Sequence, residues 1–233
     1  MKCRVMGIVN VTPDSFSDGG KFFTPEEAVR RARNLIADGA DVIDLGGEST
    51  RPGATPLGWE EEWARIEPVL EALVRGPVPI SVDTYHPETA ARAIAAGATI
   101  INCVATESVP AMMELIAQNS VELVIPFRIS ENISGPVPSD RLYLDPMIGF
   151  GTTREEDMAL LRSIPELAKH GRVLIGASRK RIIKKLTGEK TPGKDVAGNV
   201  ALALYAAAQG AAMVRVHDVR ETVQAFKVWN SLQ

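Results

Sequence analysis

Asn10, Asp44, Asp83, Asn102, Asp145, the run Ser178-Arg179-Lys180, and Arg215 with His217 each stand inside or at the end of a short apolar run. Their types divide into two chemistries. Asp83, Asn102 and Asp145 are acceptors and amides suited to the N–H edge of a flat heterocycle. Lys180, Arg51, Arg215 and His217 are donors suited to phosphate or carboxylate. Asp44 lies within Val42-Ile43-Asp44-Leu45, where an ionised carboxylate is costly unless something pairs with it. That run continues into Gly46-Gly47-Glu48-Ser49-Thr50-Arg51-Pro52-Gly53, which sets backbone able to approach a ligand closely beside a permanent, fork-shaped cation. Each residue also has a structural reading: Asp83 or Asp145 as a helix cap or ion-pair member, Asn102 as a loop-backbone partner, His217 as a packed surface histidine. No HExxH motif, four-cysteine set or His/Asp cluster indicates a resident metal, and no Ser-His-Asp triad can be argued. The donors present fit a Mg²⁺ ion held by substrate phosphates and one amide or carboxylate.

These residues need a scaffold that gathers them. Apolar runs at 4–11, 41–45, 79–83, 99–104, 121–126, 141–145, 172–177 and 213–217 read as strands buried on both faces, a parallel-sheet pattern. Helical patterns separate them, with no hairpin signal between. Thr24-Pro25-Glu26-Glu27 and Thr153-Arg154-Glu155-Glu156 have the form of capping boxes. Eight such units predict an α/β fold, a compact (β/α)8 TIM barrel forming a single domain over 1–233, whose strand ends meet at one mouth. One unit is irregular. The link from Pro126 to Asp140 is barely long enough for a crossover and carries Gly135, Pro136 and Pro138. The helix after strand 5 is therefore expected to be reduced or missing, leaving the wall thin or covered by another subunit.

A net charge of −3 argues against a general nucleic-acid or anionic-membrane surface, so an anionic ligand needs a local basic site. No apolar run approaches the ~18–20 residues that span a bilayer, and the first strand starts almost at once. Cys3 and Cys103 form no CxxC pair and read as reduced thiols of a cytoplasmic protein.

The stretches Met6-Gly7-Ile8-Val9-Asn10-Val11-Thr12-Pro13-Asp14-Ser15-Phe16-Ser17-Asp18-Gly19-Gly20 and Asp44-Leu45-Gly46-Gly47-Glu48-Ser49-Thr50-Arg51-Pro52-Gly53 closely resemble the two signature loops of the dihydropteroate synthase family. Ser81-Val82-Asp83-Thr84, Asp145-Pro146-Met147-Ile148-Gly149-Phe150-Gly151, Gly176-Ala177-Ser178-Arg179-Lys180 and Arg215-Val216-His217-Asp218-Val219 resemble its later motifs, in order along nearly the whole chain. The resemblance implies condensation of 6-hydroxymethyl-7,8-dihydropterin pyrophosphate with 4-aminobenzoate, with Mg²⁺ assisting and pyrophosphate leaving. It implies pterin contacts from Asp83, Asn102, Asp145 and Lys180, and a pyrophosphate site from Asn10, Arg215 and His217, with Asn10 also meeting the metal. Phe16, Asp18, Thr50, Arg51, Pro52, Phe150 and Ser178 would form the aminobenzoate side. Asp83, Asp145, Lys180, Arg215 and His217 would carry the reaction, and a homodimer through the later helices is implied.

The chain departs from the family pattern in three places. Cys103 stands where an Asp usually follows the strand-four Asn. Ile125-Pro126-Phe127-Arg128 replaces the stretch whose Met packs on the pterin, which leaves Ile125 or Phe127 to supply that packing, and the fifth helix is lost. A non-catalytic pterin-binding paralogue and a synthase using another aryl amine are the alternative readings. A pterin-dependent corrinoid methyltransferase ranks lower because that group lacks the two signature loops.

Overall fold

A computed structural model describes residues 3–12, 24–48, 55–128, 135–191 and 193–232. Among them, eight strands pair in parallel in chain order: β1 (Arg4–Asn10), β2 (Val42–Gly46), β3 (Ile80–Asp83), β4 (Ile100–Asn102), β5 (Glu122–Pro126), β6 (Leu142–Asp145), β7 (Arg172–Ile175) and β8 (Met213–Val216). Pairing of β8 with β1 closes the barrel. The outer layer consists of α1 (Pro25–Ala37), α2 (Trp59–Leu73), α3 (Pro87–Ala95), α4 (Val109–Ala117), α5 (Arg154–Arg162), α6 (Ile164–Leu167), α7 (Arg181–Thr187), α8 (Val196–Ala208) and α9 (Val219–Ser231). Both expected capping boxes form. Thr24 and Thr153 each accept from the backbone of the glutamate three residues on, and that glutamate's side chain accepts from the threonine's own backbone N–H.

Alternation along each strand decides what faces the barrel interior. Met6, Val42, Ile100, Val124, Tyr143, Leu174 and Met213 pack together inside the ring. Their strand neighbours Ile43, Ile101, Leu123, Leu144 and Val173 belong to a second core shared with the helices, with Leu35, Ile66, Leu70 and Ile116. Counting by twos from the inner set puts Asn10, Gly46, Asn102, Pro126, Asp145, Gly176 and Arg215 on the inner face toward the C-terminal rim, and pairing with Gly46 puts Asp83 there too. Register agrees, since Asn10 lies opposite Gly46, Gly46 opposite Asp83, and Asp83 opposite Asn102. At the other end Glu122 bonds both Arg4 at 3.2 Å and Arg172 at 2.7 Å, and Arg172 lies 4.0 Å from the Tyr143 ring centroid. That end is plugged.

Between β5 and β6 the described residues contain a 3-10 turn, Ser139–Arg141, and no α-helix. Ile125, Phe127 and Val137 are buried within this chain, with the Phe127 ring 5.9 Å from His170. Arg141 fixes the link by donating to the carbonyls of Ile116 (3.2 Å), Asn119 and Val121 (3.4 Å) at the end of α4. Arg141→Ala is expected to destabilise the fold by about 2 kcal/mol, the scale of a charge-assisted hydrogen-bond set. Thermal denaturation checks this, and an unchanged midpoint would refute it.

Candidate active site

Arg215 is the hub of the rim. From β8 its Nε donates to Asp44 Oδ2 and its Nη2 to Asp83 Oδ2, both at 2.6 Å. The Asp44 side chain is fully buried on β2, so this pairing answers its desolvation. Asn102 Nδ2 donates to the same Asp44 oxygen at 3.2 Å, while Asn102 Oδ1 is buried without a partner. One strand-end amide is thus oriented by its nitrogen and keeps its acceptor unused.

Asp145 opens a tight loop across the rim. Its Oδ1 accepts from the Met147 N–H at 2.8 Å, and Met147 (φ 60°), Gly149 (φ 80°) and Gly151 (φ 70°) are all left-handed. This loop meets Lys180, which donates to the Ile148 carbonyl at 2.6 Å and sits 4.2 Å from the Phe150 ring centroid. Across β7 and β8, Ser178 Oγ and His217 Nδ1 are 3.1 Å apart, and the His217 N–H donates to Ser178 Oγ at 3.2 Å. Arg179 (φ 58°) turns the chain between Ser178 and Lys180, held by Asn199 at its N–H and by Asp218 at its guanidinium.

Two glycines keep the cup open. A Cβ on Gly46 would lie 3.7 Å from Asn10 Oδ1 and 3.9 Å from Asp83 Oδ2. One on Gly176 would lie 3.8 Å from Asp145 Oδ2 and 3.9 Å from Arg215.

Burial sets the charges. It raises Asp83 to about 7, against the opposing pull of Arg215, and raises Asp145 against Lys180. Burial also lowers Lys180 to about 8, with Asp145 opposing, and the two carboxylates hold Arg215 above its ordinary value. The rim therefore presents two carboxyls kept from easy ionisation beside cations. An N–H-rich ligand edge with an anionic tail complements both.

Asn10, Asp83, Asn102, Asp145, Phe150, Ser178, Lys180, Arg215 and His217 all fall at C-terminal strand ends or the loops that follow them. Phe16, Asp18, Thr50, Arg51 and Pro52 lie outside the described residues. The expectation that Ile125 or Phe127 packs on the ligand is overturned. Both have the outward parity and belong to the helix-facing core, so Pro126 is the β5 residue with inward parity at the rim. Cys103 also faces outward and is buried, its thiol pushed up to about 11 by burial. It takes no part in the cup. Sequence reasoning flagged Asp44 as needing a partner without finding Arg215, and it missed the spacer glycine Gly176. Inner-face parity was the available signal for both.

A sequence model of the pterin-binding enzyme family matches residues 6–134 and 128–217. The dihydropteroate synthase of Neisseria meningitidis serogroup B is 41% identical over 99% of this chain and 93% of its own length. The chain belongs to the dihydropteroate synthases. Among solved dihydropteroate synthases, that of Xanthomonas albilineans with 4-aminobenzoic acid superposes with a TM-score of 0.89 at 42% identity, covering all of this chain and 93% of that one. The same organism's enzyme in complex with 7,8-dihydropteroate gives 0.88 at 39% identity, covering 100% and 94%.

Proposed function

We propose that the rim divides the dihydropteroate synthase reaction among its residues, with the whole chain acting as one pterin-binding barrel domain. The reaction breaks the C–O bond between the pterin's methylene and its diphosphate, and forms a C–N bond from that carbon to the amine of 4-aminobenzoate. The amine's proton goes to solvent. Asp83, Asn102 and Asp145 accept from or donate to the pterin's polar edge, and Lys180 donates to its carbonyl side. As the C–O bond stretches, positive charge spreads from the methylene into the ring, where Asp83 and Asp145 stabilise it. Arg215, His217 and Asn10 take the diphosphate. Phe150 and Ser178, with Phe16, Asp18, Thr50, Arg51 and Pro52 of the signature loops, form the aminobenzoate side and hold the amine at the carbon.

Among the described residues no group of three or more His, Cys, Asp or Glu is arranged for a metal. Asn10 offers one amide oxygen, which suits Mg²⁺ that takes its other ligands from diphosphate and water. Held by Asn10, a Mg²⁺ ion would supply positive charge beside the leaving diphosphate.

The observation that carries this reading is the contact network linking β2, β3, β4 and β8 through Arg215 and joining Asp145 to Lys180 across one loop. Purified protein with Mg²⁺, the dihydropterin pyrophosphate and 4-aminobenzoate should release pyrophosphate and form dihydropteroate. Pterin binding without turnover favours the non-catalytic paralogue, and turnover only with another aryl amine favours the altered acceptor. Gly176→Ala should fold, because its new methyl makes ordinary contacts, yet weaken pterin binding at least tenfold by filling space between Asp145 and Arg215. Calorimetric titration with a pterin measures it, and wild-type affinity would remove Gly176 from the cup wall.

A homodimer also belongs to this reading. An apolar groove of about 350 Å³ runs between α5, α7 and α8, rimmed by the exposed Leu186 and Tyr205. Light scattering on the eluted protein tests it. No helix among the described residues is long and apolar enough to cross a membrane. With Cys3 and Cys103 both buried free thiols, we place the protein in the cytoplasm.

A further inference from the structure

We infer that Asp157, on the first turn of α5, is a positioning residue that fixes the loop after β6 and through it the placement and charge of Lys180; this rests on the assignment of Lys180 to the pterin. Asp157 is fully buried although it occupies the acidic, usually solvated start of a helix. Its Oδ1 accepts from the Gly149 N–H at 2.8 Å and from Thr152 Oγ1 at 2.5 Å, while Thr152 Oγ1 accepts from the same Gly149 N–H at 2.9 Å. The carboxylate therefore clamps the middle of a loop that carries three left-handed residues within five positions, one of them the non-glycine Met147. Such a backbone holds its shape only when surrounding contacts over-determine it. The clamped residue is also the one Lys180 lies against. A Cβ on Gly149 would come within 2.9 Å of Lys180 Cδ, and the flanking Ile148 carbonyl and Phe150 ring receive its ammonium. Arg181, directly after Lys180, donates to the Thr152 carbonyl at 2.5 Å and ties the far end of the loop to α7.

Charge reaches Lys180 from several elements: Asp145 on β6, Asp157 on α5, Asp83 on β3 and Arg215 on β8. The two rim aspartates are claimed by the ligand in the proposed reaction, and Asp157 is not. Asp157 is the member held on the loop itself, by Gly149 and Thr152. Together with Asp145 and Asp83 it opposes the lowering that burial imposes on Lys180.

The test separates charge from folding. In the ligand-free protein, brief amine acylation across pH, read by mass spectrometry at Lys180, should give a midpoint near 8. Asp157→Asn, which keeps an oxygen for Gly149, should move that midpoint down by about 0.5 unit or more and raise the KM for the pterin substrate about tenfold. Asp157→Glu should restore the midpoint in part. Thr152→Val, which removes the two hydroxyl contacts of the clamp and keeps the Asp157 charge, should raise the KM without moving the midpoint. A lowered melting temperature in Asp157→Asn with an unmoved midpoint and unmoved KM would overturn the inference, leaving Asp157 a structural cap. If Asp157→Asn does not fold, an unmoved KM in Thr152→Val overturns it. The midpoint requires no substrate, so a protein that showed the shift and bound no pterin would refute the proposed function and not this coupling.

Discussion

Arg215→Met should both unfold the protein more easily and abolish turnover. Asp44, fully buried, would lose its cation, and Asp83 would lose its own at the same stroke. Removing one member of a buried, hydrogen-bonded ion network costs about 3–5 kcal/mol, because the partners stay buried and unpaired. In a domain of this size each kcal/mol moves the melting temperature by roughly 2–4 °C, so the fall should be about 6–20 °C. Combining Asp44→Asn with Arg215→Met should recover part of that loss, since one stranded carboxylate is gone. Differential scanning calorimetry on the two single variants and the double variant gives the coupling. Strict additivity would mean that the Arg215–Asp44 contact contributes nothing.

Asp145→Asn should leave the fold intact and lower kcat/KM about 10³-fold, the scale of losing a preorganised charge at the reacting centre. The asparagine oxygen can still accept from Met147, which turns the amide nitrogen toward the pterin's own N–H donors. Two donors then face each other, and the charge that the proposed reaction assigns to Asp145 is absent. The same variant carries a pH signature. Burial raises Asp145 above its ordinary 3.8 and Asp83 to about 7, so between those limits the folded protein holds protons that the unfolded chain has released. Stability from these groups is therefore greatest at low pH and is lost as pH rises through their folded values. Melting temperatures taken from pH 4.5 to 7.5 should slope less steeply in Asp145→Asn than in the parent. Parallel slopes would mean that Asp145 titrates alike in both states.

Much of this architecture is legible in the chain because its signals are local. Thr24 and Thr153 sit three residues before glutamate, so α1 and α5 start where the capping boxes require. Polar residues closing apolar runs mark the rim, and Pro136 with Pro138 mark the link where the described residues hold a 3-10 turn and no α-helix. Partnerships between distant positions were not legible. Asp44 and Arg215 are 171 positions apart, and nothing in either strand says that barrel closure brings them within 2.6 Å. Asp157 gave no signal beyond an acidic first turn, which normally means a solvated helix start. The error over Ile125 and Phe127 was avoidable. Val124 and Pro126 are two positions apart, so alternation sends their odd-numbered neighbours toward the helices.

Among the described residues, the plug of Arg4, Glu122, Arg172 and Tyr143 fills the barrel end opposite the cup, which leaves the rim as the way in. Whatever rests on the floor must go in first and come out last, past anything standing nearer the entrance. In the proposed arrangement, with the bicycle lowest and the arylamine above it, loading becomes sequential. An arylamine that arrives early bars the way, so excess of that substrate should slow the enzyme by obstruction.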